Sequence, residues 1–414
     1  VTVLGIDFGT SNSAAAYWDV SGQLQMVQLD GARAEMPTAL FFAQETNQVL
    51  YGAAAMQEYL TGSEGRLLRA LKSLLGSRLM DEYTAVNGQS LRYFEMVVLF
   101  LKEVKRRAEQ QAQQTFTHAM IGRPVHFVDD EPERDALAQA TLARAAHEAG
   151  FSHVAFQFEP IAAALDFEQR IQRETTVLVV DIGGGTSDFT VIRLHPGGSL
   201  QADRSADILA TNGVHIGGTD FDRLLDLAVV MPLLGYGHIG RGGRPVPNSV
   251  FFDLSTWHLI HQAYSRKALH FAKELWTDYA DPGLHARLMA VLENQWGHRI
   301  LAAVEQSKIA CSVTQQDAPI ALDFMATGFE SVVAVQNMAM VLQTTITQVV
   351  QSALACVHAS GLLRVDSVYL TGGSSALTPL VEALRSAMPD AALLHGNRFG
   401  GVAAGLAVAG RVGV

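Results

Sequence analysis

Residues 176–194 read TVLVVDIGGGTSDFTVIRL, and this stretch decides the fold. The β-branched and apolar run Val177–Val180, with Ile182, predicts a buried strand. Gly183, Gly184 and Gly185 predict a tight turn, and Thr190, Val191 and Ile192 a returning strand. Three glycines suit a strand interior badly but a phosphate-binding turn well. Without Cβ atoms, the backbone N–H groups can face into the turn's concavity. Asp181 and Asp188 flank the glycines and would repel a bare phosphate. The pattern makes chemical sense if Mg²⁺ stands between the acids and the phosphate. An ordinary glycine hairpin is the simpler reading of this stretch taken by itself.

The N-terminus repeats the pattern. Val3-Leu4-Gly5-Ile6-Asp7-Phe8-Gly9-Thr10-Ser11-Asn12-Ser13 places an apolar run, an aspartate, a glycine and a Thr-Ser pair in the same order, and Ala14–Tyr17 returns as a strand. Such a repeat predicts a duplicated unit whose halves face each other across a cleft. A third strand and glycine turn, Val368–Ser374, precedes a helical pattern at Pro379–Met388. Three strand–turn units, two of them acidic, predict a nucleotide cleft.

The rest of the chain supports an α/β protein of several domains. Its 414 residues suffice for large cores, and 49% hydrophobic with 17% charged residues is a globular composition. A net charge of −11 repels nucleic acid and anionic membranes, so neither is expected as a partner. No run of about 18 uninterrupted apolar residues is seen. The only cysteines, Cys311 and Cys356, give no disulfide framework or metal-spaced set, and a cytoplasmic setting is expected. Residue 1 is Val, so a few residues are expected to precede it. Helices are predicted at 53–60, 64–75, 93–114, 133–149 and 159–173, and strands at 119–122 and 154–158. A loop is predicted at 235–247, and mostly helix from 254 to 306. His258 and His261 share a helix face there, with no carboxylate or cysteine to complete a ligand set.

GIDFGTSNS, VVDIGGGTSDFTV and VYLTGGSSALTPL together resemble the two phosphate motifs and the adenosine motif of the actin-like ATPases. Within them the chain is similar to the nucleotide-binding domain of DnaK-type heat-shock chaperones, and especially to the short YegD-like proteins. Residues 70–76 (ALKSLLG), 158–164 (FEPIAAA) and 216–222 (IGGTDFD) resemble further segments of that family. The resemblance implies a two-lobed, ribonuclease H-like duplicated core. Lobe I would take residues 1–173 and 393–414, with an outer subdomain at about 37–95. Lobe II would take 174–392, with an outer subdomain at about 217–333.

The cofactors implied are ATP and Mg²⁺. Asp7, Asp181 and Asp188 would hold the metal largely through its waters. Gly9, Thr10, Ser11 and Asn12 on one side, with Gly183, Gly184, Gly185 and Thr186 on the other, would clamp the phosphates. Lys72 would place positive charge at the γ-phosphate, while Glu159, Asp181 and Thr186 orient the attacking water. Gly217, Gly218, Gly372, Gly373 and Ser374 would also bind the nucleotide, with Glu305, Lys308 and Ser312 towards the ribose. Pro124 matches a proline that the family uses in lobe coupling.

Two departures qualify that expectation. Ile309 and Ala376 stand where the family has arginines that stack on adenine, which weakens base recognition. No acidic linker or peptide-binding domain follows Gly405 within these residues, so a peptide-holding cycle in this one chain is not expected. The expected function is slow ATP hydrolysis with lobe closure as a switch, and a protein partner or co-chaperone that reads it. The alternative is a nucleotide-sensing scaffold with negligible turnover.

Overall fold

Both glycine turns connect antiparallel strands in the computed structural model, which describes residues 2–128, 131–197, 203–396 and 400–412. The first half runs β1 (Val3–Phe8), β2 (Asn12–Trp18), β3 (Leu24–Met26), β4 (Glu35–Pro37), β5 (Ala39–Ala43), β6 (Val49–Tyr51), α1 (Gly52–Leu60) and β7 (Gly65–Arg69). It continues through β8 (Tyr83–Val86), β9 (Gln89–Arg92), α2 (Tyr93–Ala112), β10 (His118–Arg123), α3 (Pro132–Glu148), β11 (His153–Phe158) and α4 (Glu159–Glu168).

The second half opens with β12 (Thr175–Ile182), β13 (Ser187–Leu194), β14 (Ile208–Val214) and α5 (Gly218–Val229). A helical block follows: α6 (Ser249–Ser255), α7 (Ile260–Ala263), α8 (Arg266–Glu274), α9 (Pro282–Glu293) and α10 (Gly297–Thr314). Then come β15 (Ala318–Ala321), β16 (Glu330–Val333), α11 (Val335–Ala359), β17 (Ser367–Thr371), α12 (Thr378–Ala387), β18 (Ala392–His395) and α13 (Gly401–Val412).

The repeat read from the sequence is a repeat of topology. One sheet has the order β11-β10-β1-β2-β3, and the other has β18-β17-β12-β13-β14. In each, an antiparallel hairpin is extended by two parallel strands reached through helical crossovers. The central strands are buried nearly end to end, which explains their almost unbroken apolar sequences. Helix α4 follows the first sheet yet packs on the second. Its Ile161 and Leu165 share a core with Val177, Val179 and Ile192. Helix α13 follows the second sheet and covers β1 and β2 of the first, with Ala403 and Ala407 against Ala14 and Ala16. The two helices therefore cross between the halves and lock them together.

One sequence expectation fails. Residues 64–75 carry leucines at helical spacing, but 65–69 form β7, paired with the buried β5, and only Leu71–Leu74 turn as a short 3₁₀ segment. Pairing with β5, the central strand of this small sheet, overrides local propensity. Helix α4 ends at Glu168 rather than near 173. Helix α11 has the length and apolar content of a membrane span. In this fold Met338, Leu342, Ile346, Val349 and Ala353 bury one of its faces in the second core. Of the chain ends expected in the first lobe, Val1 and residues 397–399, 413 and 414 lie outside the described residues.

The crossing of α4 and α13 leaves no room at Gly405, where an added Cβ would lie 1.9 Å from the Ala162 carbonyl oxygen. Gly405→Ala is therefore expected to destabilise the protein by about 1–3 kcal/mol, the usual cost of overpacking. The check is a urea titration showing a lower midpoint with an unchanged slope.

Candidate functional site

The turn after β1 and the turn after β12 meet. A Cβ on Gly184 would lie 2.1 Å from Ser11 Oγ, so any larger residue would displace the Ser11 hydroxyl. Gly9 is equally constrained, because a Cβ there would meet the Asn12 carbonyl oxygen at 2.1 Å. The first turn is tied to the strand behind it by Thr38 N–H donating to the Ser11 carbonyl at 2.8 Å. The second turn is closed by Gly183 N–H donating to the Thr186 carbonyl at 2.9 Å. It is backed by Gly218 N–H on the Gly183 carbonyl (3.0 Å) and Thr219 N–H on the Gly184 carbonyl (2.7 Å). The third turn joins the stack: Ser374 N–H reaches the Ile182 carbonyl at 3.2 Å, and a Cβ on Gly372 would meet Asp181 Oδ1 at 2.3 Å.

Acidic side chains collect beside these turns. Asp181 and Asp188 are direct partners on the β12–β13 ladder, and the Thr186 hydroxyl donates to Asp188 Oδ2 at 3.0 Å. Asp7 occupies the equivalent place on β1, but its partner on β2 is Ala14. The next residue in that row is Glu35 on β4, so a carboxylate from a third strand stands in the row with Asp7. The sequence reading missed Glu35. A solitary acid before Met-Pro carries no motif, and only the strand register places it.

The one ammonium in this group belongs to Lys72, whose Nζ lies 2.6 Å from Glu159 Oε1, with both side chains largely buried. Lys72 reaches this point because Ala70 adopts a left-handed conformation (φ 56°) and ends β7 abruptly. That conformation costs a non-glycine residue about 1–2 kcal/mol, a cost met by the fully buried Leu71 that follows. Glu159 opens α4, where the helix dipole favours an acid. Gly122 on β10 leaves the space for it, since a Cβ there would lie 3.0 Å from Glu159 Cγ.

The charges do not balance. Burial, then repulsion from Glu159, pushes the Asp7 carboxyl well above its ordinary range against the pull of Lys72, with Asp181 and Glu35 adding to the rise. Asp181 is pushed up to about 7 by burial and by Asp188 and Glu159, again opposed by Lys72. Burial lifts Glu35 to about 7. Burial depresses the Lys72 ammonium, but Glu159, Asp7 and Asp181 outweigh it and leave its pKa raised. A single ammonium among these acids leaves room for further positive charge. Among the described residues no three metal-binding side chains converge closely enough to grip a bare ion.

A family model described as Hsp70 protein matches residues 82–230. The chaperone protein DnaK of Endomicrobium trichonymphae is 31% identical over 228 residues, which is 54% of this chain and 34% of that protein. Over these residues the chain is similar to an Hsp70-type nucleotide-binding domain. Its mixed α/β architecture, with the duplicated sheets, is the actin-like ATPase fold. The chain spans about a third of the length of this curated relative. The segment matching the family model contains Pro124, Glu159, Asp181, the 183–186 turn, Asp188, Gly217 and Gly218. Asp7 and Lys72 lie outside that segment and stand beside its acids by geometry.

The residues expected at the ribose and base are less closely gathered than those of the glycine turns. Gly217 and Gly218 pack directly on the 183–185 turn and Ser374. Lys308 is not free to face a ligand: its Nζ lies 2.8 Å from Asp222 Oδ1 and 3.3 Å from the Gly218 carbonyl. It ties α10 to the turn. Glu305 is exposed, and the buried Ser312 Oγ has no hydrogen-bond partner. Ile309 and Val313 are 51% and 65% exposed one helical turn apart, an apolar ledge where the family pattern places a guanidinium. Pro124 follows Arg123, which bonds Asp135 at 2.8 Å and lies over the Phe127 and Phe158 rings.

One turn beyond Asp222, Asp226 is fully buried. Ser255 Oγ donates to its Oδ2 at 2.6 Å, and Oδ1 has no partner. Burial pushes this carboxyl up to about 7, despite the Ser255 hydrogen bond, and Asp222 adds to the rise. The folded form thus holds a proton that the unfolded chain releases near 3.9. Asp226 costs stability as pH rises from about 4 to 7, and the cost is complete above 7. Asp226→Asn is expected to flatten the fall in melting temperature between pH 5 and 8, by about 2–4 °C at pH 8, as scanning calorimetry would show.

Proposed function

We propose that the cleft binds Mg-ATP and hydrolyses it slowly, with closure of the two halves as the switch. The observation that carries this reading is the Lys72–Glu159 pair, at 2.6 Å, set beside two glycine turns that touch across the halves. The lobes would be residues 1–173 with 393–414 and residues 174–392, with outer subdomains at about 37–95 and 217–333. Backbone N–H groups of residues 9–12 and 183–186 would hold the β- and γ-phosphates from opposite sides. Lys72 would shed part of its attachment to Glu159 and face the γ-phosphate, where charge shifts during transfer. Glu159, Asp181 and Thr186 would accept from and align the attacking water. Mg²⁺, when bound through Asp7, Asp181 and Asp188, would supply the charge that offsets the carboxylates.

A protein partner or co-chaperone would read lobe closure. Both cysteines are buried and unpaired, in keeping with a cytoplasmic protein.

A second reading, nucleotide sensing with negligible turnover, is favoured by the exposed Ile309 and by Ala376 in place of stacking arginines. Each lost guanidinium–base contact removes about 0.5–2 kcal/mol. Phosphate release from Mg-ATP separates the two readings. Lys72→Ala is expected to lower the rate about 10–100-fold. A native rate no greater than that of Lys72→Ala would leave the sensor.

A further inference from the structure

Above the cleft, the outer parts of the two halves touch through side chains that the proposed chemistry does not use. Tyr59 on α1 and Arg69 at the end of β7 come from the first half. Trp257, between α6 and α7, and His298, at the start of α10, come from the second. Tyr59 Oη lies 3.1 Å from His298 Nδ1, with ring centroids 5.0 Å apart and nearly perpendicular. His298 Nε2 lies 3.1 Å from the Trp257 carbonyl oxygen, and those two rings meet edge to face at 4.7 Å. The Arg69 guanidinium lies 4.6 Å above the Trp257 ring.

The Trp257 carbonyl fixes which nitrogen of the neutral His298 ring carries the hydrogen. A carbonyl only accepts, so Nε2 carries the hydrogen and donates to Trp257. In the neutral ring Nδ1 is then the acceptor for the Tyr59 hydroxyl. The neutral imidazole satisfies both contacts. A second proton on Nδ1 would reverse the Tyr59 contact, with the hydroxyl oxygen accepting, and would place a positive charge in a buried site beside Arg69.

We propose that Tyr59, Arg69, Trp257 and His298 form a proton-sensitive latch that joins the outer parts of the two halves over the cleft and releases them on acidification. The groups facing His298 are Tyr59 from α1, Arg69 from β7, the Trp257 carbonyl, His261 on α7 and Tyr264 just after it. Tyr264 accepts from Gly297 N–H at 2.8 Å, and Glu305, on the same helix as His298, attracts Arg69. Burial pushes His298 down to about 4. The Trp257 contact opposes this, and Arg69 and His261 reinforce it.

Once released into water the imidazole returns to about 6.5. The latched state therefore binds the proton more weakly than the open one. Above about pH 6.5 acidity has no effect. Between about 6.5 and 4 each unit of pH shifts the balance towards the open state by up to about tenfold. The latch does not depend on what the cleft binds.

The test is made without nucleotide. Spin labels on Glu64→Cys and Lys267→Cys, both exposed, report the distance across the mouth by pulsed dipolar spectroscopy. The expected result is a longer-distance population that grows about tenfold from pH 7.5 to 5.5. It should stay constant in His298→Gln, whose side chain cannot ionise in this range. Tyr59→Phe keeps the ring but loses the hydroxyl and should raise the open fraction at pH 7.5. An unchanged distance distribution in the otherwise native protein overturns the latch, and so does an equal pH response in His298→Gln. Because no nucleotide is present, failure here leaves the ATPase reading untouched, and failure of that reading leaves the latch.

Discussion

The whole arrangement depends on a close contact between turns from the two sheets: the backbone at Gly184 against the hydroxyl of Ser11. Two turns from two sheets can approach this closely, with the Ser11 side chain of one at the junction, because the other presents only a glycine backbone there. Gly217 and Gly372 extend the same constraint to neighbouring turns, which pack on Gly184 and Asp181 with no room for a Cβ. The crossed helices α4 and α13 set the sheets at the spacing this contact requires, and Gly405 is their own point of closest approach. Packing far from the cleft and the geometry inside it are thus one problem.

Charge is the second organising force. The fold gathers Asp7, Glu35, Glu159, Asp181 and Asp188 around one lysine, and burial makes several of these carboxyls resist ionisation. Such a site is unfavourable for the protein alone and becomes favourable when a cation and a phosphate chain share the space. The strained backbone at Ala70, which delivers Lys72, is a local cost of the kind expected beside the proposed site.

Much of this was legible in the sequence because it is encoded locally. An apolar run, an aspartate and a glycine turn are contiguous, and their repetition at residues 3–13 and 177–188 announces the duplicated sheets. The strand β7 was hidden because Leu67, Leu68 and Leu71 have helical spacing, and only pairing with β5 selects the extended form. Glu35 was hidden for a related reason: its importance comes from lying in register with Ala14 and Asp7. The attachment of Lys308 to Asp222 joins positions on two helices that no local pattern connects. Contacts between distant segments carry no short-range signature, and the bridge from Tyr59 to His298 is the extreme case.

The central claim is that the paired glycine turns and their acids form a working nucleotide cleft. Calorimetric titration of ATP, ADP and GTP into the purified protein with Mg²⁺, beside Asp181→Asn, tests it most directly. The account predicts saturable binding of the adenine nucleotides that is lost or greatly weakened in Asp181→Asn. Absence of binding by all three nucleotides, or equal binding by Asp181→Asn, would contradict it.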